Sequence, residues 1–148
     1  MIQSLRIIIY FLPLILGGFI YIIFRTETLI MFHWFKYLNF SDEINIIKNF
    51  KNAYSLPNWF IYNLPDGLWI FSYTSISLEI WKYSITRQNI FWIFGIPIIA
   101  VLSEFLQLFK IIPGTFDFLD VTFYVLGTIS SYYILTKQFL TIKKHEKL

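Results

Sequence analysis

Residues 90–109 read IFWIFGIPIIAVLSEFLQLF, and this stretch decides the fold class. Only Pro97, Ser103, Glu104 and Gln107 interrupt the apolar run. A helix needs about 20 apolar residues to cross the hydrocarbon of a bilayer, and this run supplies them. At about 100° per residue, Pro97, Ala100, Glu104 and Gln107 fall on one stripe. That stripe is expected to face other helices, leaving the remaining surface for lipid.

Three other runs follow the same reading. Ile7 to Phe24 is flanked by Arg6 and Arg25. It exceeds the roughly 7–15 apolar residues of a signal peptide, and no small-residue cleavage pattern follows, so it reads as a retained span. Residues 67–83 are shorter and more polar, carrying Ser72, Tyr73, Thr74, Ser75, Ser77 and Glu79 between Trp69 and Trp81. Tryptophans at both ends resemble interfacial anchors, which favours a span over an amphipathic segment. Residues 119–135 form the last run, closed by Lys137, Lys143 and Lys144. The expected fold is an all-α membrane protein, a four-transmembrane-helix bundle in a single domain over residues 1–148.

Composition agrees. Hydrophobic residues make up 57% of the 148 and charged ones 14%, against roughly 25% charged in soluble domains. A soluble fold of this size could not hide that much apolar surface. The net charge of +3 is spread over span ends and not gathered into a nucleic-acid face. With the N-terminus inside, the inner face carries Arg6, Lys82, Arg87, Lys137, Lys143, Lys144 and Lys147, and the outer face Arg25, Lys36, Lys48, Lys51 and Lys110. The outer charges lie mostly in one long loop, where the positive-inside rule is weak, so both termini are predicted to be cytoplasmic. The chain has no Cys, which excludes disulfides and thiolate chemistry.

The long loop, 25–66, has a pattern of its own. Residues 29–40 are apolar and aromatic but too short to span, as expected of an interfacial segment. Ser41 reads as an N-cap, with Asp42 and Glu43 in the first helical turn. Ile47, Phe50 and Tyr54 then share a face, with Lys48 and Lys51 off it, until Pro57. The pattern predicts a short amphipathic helix against the outer surface, either a lid or a headgroup anchor.

Unpaired charge inside hydrocarbon costs about 2.5–3.5 kcal/mol at a helix centre, so Glu104 needs an explanation. Pro113-Gly114 reverses the chain, which lets Glu104 and Gln107 face Asp117 and Asp120 as the last span begins. Asp120, Tyr124, Gly127 and Ser131 form a stripe, and Gly127 with Ser131 is a small-x-x-x-small pair suited to close helix approach. Asp66, in Asn63-Leu64-Pro65-Asp66-Gly67, opens the second span at the same depth. The candidate functional cluster is therefore Asp66, Glu104, Gln107, Asp117 and Asp120. Each acid also has a structural alternative. Asp117 can cap the last helix with Asp120 as its N3 partner, Asp66 can serve a turn, and Glu104 can bond a neighbouring helix. Glu79 reads as a surface pair with Lys82, and His33 and His145 lack metal-site spacing. The cluster suits a hard cation, a proton relay or a cationic group. No catalytic triad, phosphate loop or zinc motif is present, and no cofactor is called for.

Glu104-x-x-Gln107, a turn, Asp117-x-x-Asp120 and Gly127 seven residues on resemble the core motif of the VanZ-like membrane proteins. The resemblance covers Leu102 to Gly127. Two positions depart from the family pattern, Gly114 where it has Arg and Tyr124 where it has Asn. The resemblance implies a bacterial cytoplasmic-membrane protein. The family's namesake is associated with low-level teicoplanin resistance. Three readings follow: a protein binding or acting on an envelope component at the outer face, a non-catalytic accessory subunit docking a membrane protein or a second copy, and an ion or proton path.

Overall fold

The computed structural model of the protein describes residues 2–48 and 56–145. All secondary structure among them is helical: α1 (Ile2–Phe24), α2 (Ile30–Tyr37), α3 (Ser41–Lys48), α4 (Asn58–Tyr62), α5 (Leu64–Ile80), α6 (Ile90–Leu108) and α7 (Phe118–His145). Three stretches, Leu5–Phe24, Ile90–Leu108 and Phe118–Thr136, are long and apolar enough to cross a membrane.

Helix α5 is 17 residues long and is not among those three. It begins three residues before the expected 67–83 and ends earlier. Pro65 fits the start because a first-turn proline lacks only an N–H that would be unpaired there. At the other end Lys82 and Tyr83 take positive φ, and the Tyr83 N–H bonds back to the Leu78 carbonyl. Helix α7 overruns its expected end at 135 by ten residues, since neither Gly nor Pro stops it before His145.

Helix α5 is the hub, packed against α1, α4, α6 and α7. Tyr10, Leu78, Ile93 and Leu135, one from each of α1, α5, α6 and α7, form a buried core layer. The α5–α7 seam is set by glycine. A Cβ on Gly127 would lie 2.5 Å from the Gly67 carbonyl oxygen and 3.2 Å from the Phe71 nitrogen. A Cβ on Gly67 would in turn meet Phe123 at 3.0 Å. One turn beyond Gly127, the Ser131 and Ser75 hydroxyls bond at 2.9 Å. Small residues admit backbone contact here, and the serines satisfy each other where no water reaches.

Helix α1 docks on α5 in the same way. Ser72 donates to the Tyr10 carbonyl at 2.6 Å and Trp69 Nε1 to the Leu14 carbonyl at 3.2 Å. Trp69 also lies against Gly17 and Tyr21. Its indole is thus a packing element between helices and not the outward interfacial anchor expected. Glu79 is a second correction. It is 1% exposed and paired with Arg6 at 2.9 Å, not with Lys82, and it accepts a hydrogen bond from the Tyr83 hydroxyl. Helix α1 brings Arg6 to it, a contact 73 residues distant in sequence.

In the long loop, helix α3 starts at Ser41 itself, whereas Ser41 was expected to sit one position before the helix as its cap. Ile44 is its buried residue, and the helix packs on α1 and α2. Phe50, Lys51 and Tyr54 of the expected amphipathic face lie outside the described residues. Pro57 precedes a further short helix, α4, that the sequence pattern did not announce.

Candidate functional site

Five elements converge where α5 and α7 begin and α6 ends. The chain leaves α6 through Lys110 at φ 57°, with the Ile111 N–H bonded to the Leu106 carbonyl. This is a Schellman closure that turns the backbone sharply. Gly114 follows at φ 139°, a conformation that side-chain-bearing residues rarely adopt. A Cβ there would also come within 2.5 Å of the Gln107 amide oxygen. Glycine at this position therefore has a local cause.

The reversal brings Asp117 onto Glu104. Glu104 is 4% exposed, and its Oε2 accepts the Asp117 backbone N–H at 3.1 Å. Its Oε1 accepts from Gln107 Nε2 at 3.5 Å, a long contact. Asp117 Oδ1 caps α7 by accepting the Leu119 N–H at 2.8 Å. Asp120 is not drawn into that cap. Its Oδ1 instead accepts from Asn63 Nδ2 at 2.7 Å, and the same amide reaches Asp117 Oδ2 at 3.1 Å. One amide nitrogen carries two hydrogens and can satisfy both. Asp66 lies close enough to Asp120, Glu104 and Arg25 to interact electrostatically. All five residues nominated from sequence are thus placed in one neighbourhood.

Two members were not nominated. Asn63 is buried at the joint between α4 and α5 and ties two acids together. Its signal was its place three residues before Asp66, read only as a turn. Arg25 was read as an orienting charge beside a span. Its guanidinium sits 5.0 Å from the Tyr21 ring and 4.8 Å from the Tyr62 ring, within electrostatic reach of Asp66 and Asp120. Ring faces attract a cation, which fixes Arg25 beside the acids. Its Nε is buried and has no hydrogen-bond partner among the described residues.

The site thus gathers four carboxylates, Asp66, Glu104, Asp117 and Asp120, beside one guanidinium. Among the described residues no group of three His, Cys, Asp or Glu has the spacing to hold a metal ion. No family model, curated protein or solved structure matches the chain.

Proposed function

We propose that the chain is a VanZ-like protein of the bacterial cytoplasmic membrane that binds or acts on an envelope component at the outer face. In this reading α5 is a fourth span between α1 and α6, and both termini are cytoplasmic. The observation that carries the proposal is the burial of Glu104, held by the Asp117 backbone beside an Asn63 bridge to Asp120. Three elements spend acids on one place near a span end. Apolar packing would join the same helices without the cost of buried charge.

The test is composition. The intact protein in nanodiscs cut from its own membrane is compared with a Glu104→Gln, Asp120→Asn variant. An envelope lipid or precursor enriched with the native protein and absent from the variant supports the reading. Identical contents that match the bulk membrane overturn it.

A second reading, an accessory subunit, is favoured by an open apolar groove of about 340 Å³ between α6 and α7, lined by Phe94, Pro97, Val101 and Val125. A stoichiometric protein partner, or a second copy, in the same nanodiscs selects that reading. The ion-path reading loses support, because Glu79, its one inner acid, is committed to Arg6 and Tyr83.

A further inference from the structure

Helices α1 and α6 both pack on α5, and between them lies an open cavity of about 370 Å³ that starts at the acidic cluster. Small-molecule sites occupy roughly 300–1,000 Å³ and pair apolar walls with a few polar groups. This cavity has that composition. Leu14 of α1 and Ile96 and Ala100 of α6 form its walls, with Ile70 on the floor. Two other floor residues have their polar atoms turned onto the walls: Trp69 donates to the Leu14 carbonyl, and Tyr73 to the Trp92 carbonyl. They therefore offer hydrocarbon to an occupant. The polar groups left for one are the Asp66 carboxylate and the Tyr124 hydroxyl, which lie within electrostatic reach of each other. Neither hydrogen-bonds to a side chain or loop among the described residues.

We infer that this groove seats one bilayer lipid, an ethanolamine phospholipid, with its acyl chain along Leu14, Ile70 and Ile96 and its ammonium at Asp66. The inference rests on the membrane-embedded reading proposed above and names a ligand class for it. Charge selects the headgroup. A primary ammonium carries three donors, enough for Asp66 and the Tyr124 oxygen together, whereas a choline group has none. A purely anionic headgroup would meet Glu104, Asp117 and Asp120 and gain only Arg25. In the ethanolamine lipid the phosphate lies two carbons from the ammonium. Arg25, within electrostatic reach of Asp66, is the cation at that end of the groove suited to it.

Two measurements test this. In native mass spectrometry from mixed-lipid nanodiscs, the unaltered chain retains one ethanolamine phospholipid, and Asp66→Asn loses it. In the second, Trp69 is the only tryptophan kept and the other four are replaced by Phe. Brominated ethanolamine lipid in choline-lipid nanodiscs then half-quenches Trp69 at a mole fraction roughly tenfold below that of brominated glycerol phospholipid, the margin of one hydrogen bond to a charged group. Asp66→Asn brings the two lipids together, and Ala100→Phe removes quenching by both. The reference is Ile98→Trp in a chain with no other tryptophan, because Ile98 is exposed on α6. Equal half-quenching of Trp69 by the two lipids, with no lipid retained in the mass spectrum, overturns the inference. So does an unquenched Trp69 beside a quenched tryptophan at 98, which places protein in the groove. If the tryptophan at 98 is also unquenched, the membrane-embedded reading falls with it.

Discussion

Helices α5 and α6 are neighbours of similar length, 17 and 19 residues, with opposite relations between polarity and burial. Helix α5 carries the hydroxyls and is inside: Ser72 and Ser75 are fully buried, bonded to the Tyr10 carbonyl and the Ser131 hydroxyl. Helix α6 is far more apolar and shows most of its surface, with Phe91 at 79% and Ile99 at 63% exposure. In water this arrangement would be inverted, because apolar surface is what a soluble fold hides. In lipid, apolar side chains gain little by leaving the surface, while polar ones need protein partners. The helix that looks least like a span on hydropathy is therefore the one the others surround. Mean hydropathy reports composition, and α5, with eight buried residues, has little surface for which an apolar composition would be required.

The comparison breaks most directly on topology, where the outcome is all or none. If α5 spans, residues before it and after it lie on opposite sides. A cysteine at the exposed Glu27 reacts with a membrane-impermeant reagent on intact cells, and one at the exposed Arg87 reacts only after permeabilisation. Labelling of both without permeabilisation removes α5 from the bilayer.

The next effect compares two glycines. Gly127→Leu forces α7 off the α5 backbone and costs about 3 kcal/mol or more, read as a lower melting temperature in detergent. Gly95→Leu on α6 leaves stability nearly unchanged, because nothing lies within 4 Å of a Cβ there. Equal losses at both positions contradict the inside and outside assigned to these helices.

A smaller loss is expected from Glu79→Gln. The amide keeps the shape and loses the charge facing Arg6, whose side chain is 30% exposed. Solvent at Arg6 discounts the several kcal/mol of a fully buried pair to about 2 kcal/mol. An unchanged melting temperature returns Glu79 to the surface.

The least effect belongs to the outer face of α6. Ile99→Ala shifts stability by no more than about 0.5 kcal/mol, whereas Ile93→Ala, in the four-helix core layer, costs about 2–5 kcal/mol. A large loss at Ile99 would mean that a protein partner covers that face.

Amino-acid order alone was enough for the helical class and for three helices of spanning length and composition, since those properties follow from run length and polarity. It also nominated Asp66, Glu104, Gln107, Asp117 and Asp120 as neighbours, because a turn at Pro113-Gly114 and a helical period constrain which faces can meet. What it could not contain was the choice of partner across long stretches of chain. Arg6 reaches Glu79, Asn63 reaches Asp117 and Asp120, and Arg25 comes to lie beside Asp66, all through contacts between helices far apart in sequence. A side chain's period says which face it occupies and not which helix comes to cover that face. That was decided by backbone approach at Gly17, Gly67 and Gly127, where the absence of a Cβ lets α1, α5 and α7 close together and carry their polar residues into register.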